Sequence, residues 1–277
     1  MSKAKALTIA GSDSGGGAGI QTDLKTFAAL NTYGTSVITA LTAQNTKGVH
    51  GIHTVPKDFV QSQMDAVLSD IPVNAIKTGM LSEAGIIETV AERLKYYQVD
   101  KLVVDPVMVA ESGDRLLAEN AVEALKAKLI PLALIITPNL AEAGALLGRQ
   151  LHTVDDMVTA ARELHRLGPR FVLVKGGHLP GEEKIDIFFD GKHIHRLVEK
   201  KIDTIHTHGT GCTYAAAITA YLAHGLPPLT AVQKAKVFIT QAIKHGIAVG
   251  SGYGPTNPMG ALWEELEHYR AKYAQKN

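Results

Sequence analysis

Short apolar runs rich in β-branched residues recur along the chain at 6–10, 37–41, 75–77, 102–104, 134–136 and 171–174, and each reads as a strand. Most of these runs lack a polar residue at every second position, which is the pattern of strands buried on both faces. Between them lie stretches of helical period at 59–68, 84–97, 121–129 and 154–167. The repeated strand–helix order predicts an α/β fold, a mostly parallel central sheet flanked by helices on both sides. Thr153 stands where a helix N-cap is wanted, Asp155 and Asp156 fall in the first turn, and Gly168 with Pro169 closes the element. The order breaks at 184–205, where Ile185, Ile187 and Phe189 alternate up to Asp190-Gly191 and Ile194 follows; this predicts a β-hairpin, placed at the edge of the sheet. With no linker, clear repeat or low-complexity segment, residues 1–277 are expected to form one domain.

Composition narrows the partners. A chain of 277 residues that is 45% hydrophobic and 20% charged can bury a substantial core. Lys plus Arg number 28 against 27 Asp plus Glu, so no net field gathers nucleic acid or anionic lipid, and a small molecule is the expected ligand. One cysteine, Cys212, excludes an internal disulfide framework and fits a reducing compartment. The apolar run before Asp13 is too short for a secretory signal, and no stretch approaches the ~20 apolar residues of a membrane span. A soluble cytoplasmic protein is therefore expected. Among the twelve histidines, His193 with His195 and His206 with His208 are each one residue apart. Such pairs suit either a zinc site or a solvated strand face, and no metalloprotease helix motif accompanies them. Trp263 and residues 264–277 read as a terminal amphipathic helix docked on the body.

Three segments carry candidate chemistry. In Thr207-His208-Gly209-Thr210-Gly211-Cys212, glycines lead directly into a small, apolar stretch at 213–222 suited to a buried helix. Unpaired amides at such a start, reinforced by the helix dipole, can hold phosphate oxygens, and Cys212 stands on the first turn beside them. An ordinary loop-to-helix turn with a small buried thiol has the same sequence. In Thr137-Pro138-Asn139-Leu140-Ala141-Glu142, Pro138 keeps Thr137 extended and Asn139 is placed to cap a helix carrying Glu142. Glu142, and Asp105 at the end of another buried strand, could organise Mg²⁺ near phosphates; alternatively Asn139 and Glu142 form a capping box and Asp105 caps a turn. The third segment, Gly11-Ser12-Asp13-Ser14-Gly15-Gly16-Gly17-Ala18-Gly19, lets backbone approach a ligand closely. It lacks the dinucleotide-binding spacing, and no glycine-lysine-serine/threonine phosphate loop occurs in the chain.

Taken together these segments resemble the ribokinase-like superfamily, and within it the hydroxymethylpyrimidine and hydroxymethylpyrimidine-phosphate kinases of thiamine biosynthesis. The resemblance covers nearly the whole chain and rests on residues 10–19, Gln21, 23–27, Gln44-Asn45-Thr46, Lys77-Thr78-Gly79-Met80, 104–109, 137–142 and 208–213. It implies a ribokinase-like three-layer fold, ATP and Mg²⁺ as cofactors, and a homodimer. It also implies substrate contacts at Gly11, Ala18, Asp23, Gln44, Met80 and Val107, and a nucleotide side at Asn139, Lys175, Thr207 and Lys236. Glu142 and Asp105 would serve Mg²⁺, through water, and Gly209, Thr210, Gly211 and Cys212 the phosphoryl transfer.

The wider superfamily usually has aspartate where this chain has Cys212, and the pyrimidine kinases and some pyridoxal kinases resemble it in using cysteine. A thiol with pKa ~8.5 must be lowered by the helix end or by neighbours to accept the substrate's hydroxyl proton as thiolate. Gln44 offers a donor and an acceptor on one carboxamide, matching an aminopyrimidine edge that pyridoxal lacks; the bland alternative is a bond to its own loop. A pyridoxal kinase of vitamin B6 salvage, or a dual-specificity enzyme, is the nearest alternative function. A silent nucleotide or vitamin sensor would keep the fold and lose the reaction, although Gly209–Gly211 are intact. Residues 109–117, with Gly113 and the polar 111–114, allow a mobile flap over the site.

Overall fold

The structure, a computed structural model, describes residues 3–108, 116–117 and 119–274. The flap expected at 109–117 therefore falls almost entirely outside the described residues. The strands are β1 Lys5–Ser12, β2 Tyr33–Asn45, β3 Gly48–Thr54, β4 Ala75–Thr78, β5 Leu102–Val104, β6 Ile135–Ile136, β7 Phe171–Val174, β8 Glu183–Phe189 and β9 Ile194–Lys200. They form one sheet in the order β3-β2-β1-β4-β5-β6-β7-β8-β9. From β2 to β7 every pairing is parallel, while β3, β8 and β9 add antiparallel edges. The predicted hairpin at 184–205 is β8–β9, at the edge, with Gly191 at φ +90° in its turn.

Helices α1 Gly19–Ala29, α7 Thr210–Ala223 and α8 Pro228–Lys244 cover one face. Helices α2 Lys57–Leu68, α3 Ala84–Tyr96, α4 Glu119–Ala124, α5 Leu140–Leu147 and α6 Val154–His165 cover the other. The alternation of strand side chains divides the core in two: Ile76, Leu102, Val104, Val172 and Val174 face one helical layer, and Ala75, Val103 and Leu173 the other. This is the three-layer architecture the strand–helix order predicts. The runs at 102–104 and 171–174 are strands over those residues, fully or almost fully buried, as continuous apolar runs require. The capping box at Thr153 and Asp156 is formed, with the Asp156 amide donating to Thr153 Oγ1 at 3.0 Å.

Two regions differ from the sequence expectation. Strand β2 extends past 41 to Asn45 and pairs with β3 as a ribbon whose far half is largely exposed; its polar and glycine-rich sequence, 42–54, carries no apolar run to reveal it. The helix expected from Trp263 to 277 begins earlier, as α9 Gly260–Ala274, and residues 261–272 are exposed; residues 275–277 lie outside the described set. Among the described residues no helix is long and apolar enough to cross a membrane.

A charged pair is sealed in this core. Lys77, in the middle of β4, has no exposed surface and donates from Nζ to Asp23 Oδ2 of α1 at 2.9 Å, while Thr8 Oγ1 of β1 donates to the same oxygen at 2.6 Å. Asp23 Oδ1 has no hydrogen-bond partner among the described residues. Burial works against the Lys77 charge, yet Asp23, Cys212 and Asp105 outweigh it and hold its pKa above the usual lysine range. Breaking such a pair strands a buried charge, so Lys77→Met should cost about 3–5 kcal/mol of unfolding free energy, whereas Lys77→Met with Asp23→Leu should recover most of it. Chemical denaturation of both variants checks this; equal losses would refute it.

Candidate active site

The site lies where the α/β architecture places ligands, at the carboxyl ends of the parallel strands and beside the point where the chain turns to opposite sides of β1. The segments after β1, β4, β5, β6 and β7 bring in Asp13, Met80, Asp105, Asn139 and Lys175, and α7 brings its N-terminal end. A cavity of about 130 Å³ is lined by Gly11, Ala18, Gln44, Met80 and Val107 on one side and by Asp105, Glu142, Lys175 and Gly209–Cys212 on the other. A second cavity, of about 330 Å³, is lined by Thr207, Lys236, Ile239 and Ile243. Asn139, Lys175, Thr210 and Gly211 border both, so the two compartments meet at the start of α7.

Gly209 is the N-cap of α7 in the left-handed conformation, φ +77°, and a Cβ there would collide with the carbonyl of Gly17. No side chain caps the helix. The Thr213 amide donates to the Gly209 carbonyl at 2.9 Å. Gly211 and Cys212, in the first turn, have no intrahelical acceptor within reach and are the amides an anion would meet. Thr210 departs from expectation: its amide (3.1 Å) and hydroxyl (2.6 Å) both donate to the Thr207 carbonyl, which shapes the turn and withdraws them from an anion.

Asp13 ties this mouth to the glycine-rich loop. Its carboxylate accepts the amides of Gly15 (2.8 Å), Gly17 (3.0 Å) and Ala18 (2.9 Å), and Oδ2 lies 2.9 Å from His208 Nε2. Burial would raise the Asp13 pKa, but the bond and charge of His208 and the loop amides bring it below the usual carboxylate value. His208 is fixed in turn, its amide donating to Gly254 and its carbonyl accepting from Thr256. The pairing spans 195 residues of sequence. It was not legible from the motifs, although both residues stand inside them.

Cys212 is partly buried, and its thiol pKa is not lowered as a thiolate base requires. Burial pushes it up to about 11; Lys77 pulls the other way, Asp23 and Asp105 add to the rise, and a hydrogen bond from the Gly19 amide lowers it. Asp23 was expected among the substrate contacts. It is fully buried against Lys77 and absent from the cavity wall, so it shapes the charge beneath the site instead. The sequence contained a pointer to it: a lysine amid the apolar β4 needs a buried carboxylate.

The acidic side is crowded. Asn139 and Glu142 form the capping box, with the Glu142 amide donating to Asn139 Oδ1 at 2.9 Å and the Asn139 amide donating to Glu142 Oε2 at 2.8 Å; both residues also line the cavity. Lys175 Nζ donates to Asp105 Oδ1 at 2.8 Å, and Thr137 Oγ1 donates to the same oxygen at 3.1 Å. Glu142 Oε1 and Asp105 Oδ2 take no part in these bonds. Burial lifts Glu142 to about 7, Lys175 opposing and Asp105 reinforcing the rise. Two buried carboxylates beside one lysine leave room for a further cation, which suits the Mg²⁺ expected there. Lys236, expected on the nucleotide side, donates from Nζ to Asp186 Oδ2 at 2.7 Å, so its charge is largely matched within the protein.

Gln44 of β2 lies beside a bulge in β3, where the partner slips from Gly51 opposite Ala43 to Val49 opposite Gln44 and His50 is the extra residue; such irregularities re-aim side chains. Its side-chain Oε1 is 3.2 Å from Thr42 Oγ1, while its amide and carbonyl are held by Ser14 Oγ at 2.8 and 2.9 Å. His193 and His195 both turn to Asp190, at 3.4 and 3.0 Å, and among the described residues no three His, Cys, Asp or Glu groups converge as metal ligands.

A family model described as phosphomethylpyrimidine kinase matches residues 13–257. The chain is 55% identical over 91% of its length to the thiamine biosynthesis bifunctional protein ThiED of Geobacter sulfurreducens, of which it spans about half, 51%. It is 48% identical to the hydroxymethylpyrimidine/phosphomethylpyrimidine kinase of Bacillus subtilis, over 93% of this chain and 95% of that one. Among solved structures, an ADP complex of Bacillus subtilis pyridoxal kinase superposes with a TM-score of 0.89 at 43% identity, covering 94% of this chain and 99% of that one.

The Glu142 environment predicts a pH effect on stability. Its folded pKa, about 7, lies above the ordinary 4.5, so the unfolded chain releases the proton first and stability is lost as pH rises from 4.5 to 7. Glu142→Gln keeps the capping acceptor and removes the charge. Without added metal or nucleotide, the variant should gain on the parent across that window, by up to about 3 kcal/mol above pH 7. Denaturation at pH 5 and pH 8 checks this; a difference independent of pH would refute it.

Proposed function

Because the chain belongs to the phosphomethylpyrimidine kinase family, we infer that it transfers the γ-phosphoryl group of ATP to the hydroxymethyl group of 4-amino-5-hydroxymethyl-2-methylpyrimidine, and then phosphorylates that monophosphate to the diphosphate, in thiamine biosynthesis. One observation carries the reading: an acceptor-sized cavity and a second, larger cavity share the open first turn of α7 as their common wall. An alcohol on one side and a terminal phosphate on the other would meet at Gly211 and Cys212.

In the first step the acceptor oxygen bonds to the γ-phosphorus as its bond to the β–γ bridging oxygen breaks, and ADP leaves. The amides of Gly211 and Cys212 hold the equatorial oxygens, and Lys175 stands beside them. The hydroxyl proton passes to the Cys212 sulfur as thiolate. Burial makes that form scarce at neutral pH, so positioning and charge stabilisation supply most of the acceleration, as a loose phosphoryl-transfer transition state allows. Bound with the nucleotide, Mg²⁺ supplies neutralisation of the phosphate charge. Glu142 and Asp105 are the residues that fit it.

Ring selection falls to Gln44. The Thr42 hydroxyl has one proton, and Thr42 Oγ1 lies 2.9 Å from the Ser12 carbonyl, which accepts it. The carboxamide of Gln44 can then turn its NH₂ group to Thr42 and its oxygen to the amino group of the ring. A pyridoxal kinase remains the second reading, favoured by the close likeness to the Bacillus subtilis pyridoxal kinase complex.

Two assays test these assignments. The second acceptor is already ionised at neutral pH, so Cys212→Ala should slow the first phosphorylation at least tenfold more than the second; equal losses would remove Cys212 as the base. In a competition between hydroxymethylpyrimidine and pyridoxal under Mg-ATP, the parent should favour the pyrimidine and Gln44→Met should erase most of that preference. Preference for pyridoxal by the parent would select the second reading, and an unchanged ratio in the variant would clear Gln44 of the role.

A further inference from the structure

Strand β2 outruns its parallel neighbour. The register carries β1 alongside it only as far as Ser12 opposite Leu41, whereas β2 continues to Asn45 with β3 on its other side. A strand residue turns its N–H and C=O to the same side, so residues facing the place where β1 has ended need other partners for both groups. At Gln44 one side chain of the glycine-rich loop supplies them. The Gln44 amide donates to Ser14 Oγ at 2.8 Å, and the Ser14 hydroxyl donates to the Gln44 carbonyl at 2.9 Å. A hydroxyl offers the donor and the acceptor that a strand residue would have brought.

Ser14 is itself held from both sides. The Asp13 amide donates to Gln21 Oε1 at 2.9 Å, and the Gly15 amide donates to Asp13 Oδ1 at 2.8 Å. Ser14 is exposed and does not line the cavity, whereas Gln44 does, so the hydroxyl acts on the acceptor through Gln44. The turn of the ribbon is anchored separately, the Tyr253 amide donating to the Thr46 carbonyl at 3.0 Å, so Ser14 governs where Gln44 sits more than whether the ribbon forms. We propose that Ser14 is a positioning residue for ring selection: its hydroxyl replaces the missing β1 pairing and fixes the backbone from which Gln44 reaches the acceptor. This rests on the assignment of Gln44 as the group that reads the ring.

Without the hydroxyl, water can satisfy the two Gln44 backbone groups but holds them in no fixed place. Misplacing a positioned group by about 1 Å can cost up to roughly a hundredfold in rate. Under Mg-ATP, the ratio of kcat/KM for hydroxymethylpyrimidine to that for pyridoxal should fall about tenfold in Ser14→Ala, with KM for the pyrimidine raised and KM for ATP unchanged. Ser14→Thr keeps the hydroxyl and should keep the ratio. Added to Gln44→Met, Ser14→Ala should change the ratio less than about twofold, because the group it positions is gone. If Gln44→Met erases the preference while Ser14→Ala leaves it intact, the proposal falls and the Gln44 assignment stands. An equal drop from Ser14→Ala with and without Gln44 overturns it too, as does a ratio for Ser14→Thr as low as that for Ser14→Ala. A preference unchanged in Gln44→Met would remove the Gln44 assignment and the role of Ser14 together.

Discussion

The site depends on how closely two glycine-rich segments approach each other. Gly17 and Gly209 pack backbone to backbone, and the Asp13 carboxylate gathers three amides of one segment and the imidazole of the other. Any side chain at Gly209 would push the mouth of α7 off the loop, so the gap between the two segments is set by the absence of two Cβ atoms. An ionised carboxylate is well suited to hold this contact, because charge-assisted bonds are short and directional. The Gly19 amide, at the start of α1, also lowers the pKa of the Cys212 thiol in the first turn of α7.

Charge beneath the site is matched pair by pair. Lys77 with Asp23, Lys175 with Asp105 and Lys236 with Asp186 are buried or nearly so; the first and last each join a strand to a helix, and the second joins the segments that follow β5 and β7. A site about to receive several phosphate charges thus holds little free positive charge of its own. An anion entering the cavity would then meet backbone dipoles rather than an unmatched side-chain charge. The same arrangement explains the protonated thiol: a nearby lysine already committed to a carboxylate lowers the Cys212 pKa too little to offset burial.

Most of the fold was legible because it follows from burial. Runs such as 102–104 and 171–174 are apolar throughout since both sheet faces are covered, and alternation at 185–189 revealed the edge hairpin. The ribbon at 42–54 was hidden because solvent covers much of it and its residues meet no apolar demand. In the site, local spacing disclosed the opening of α7 and the capping box at Asn139. It could not disclose Asp13 with His208, a pairing made by the fold across 195 positions. The burial of Asp23 was hidden for a related reason: its position in the chain is near the loop, but α1 turns its side chain into the core.

The ribbon formed by β2 and β3 differs from the rest of the site in how freely its sequence can drift. Its outer half is exposed, Gln44 sits at an irregular pairing, and its turn is anchored by Thr46 to the segment at 252–253. Exchanges there cost little folding free energy, whereas exchanges at the mouth of α7 disturb packed backbone. Selection can therefore vary one wall of the cavity on an element that is nearly silent for stability, while the packed backbone at the mouth of α7 stays fixed.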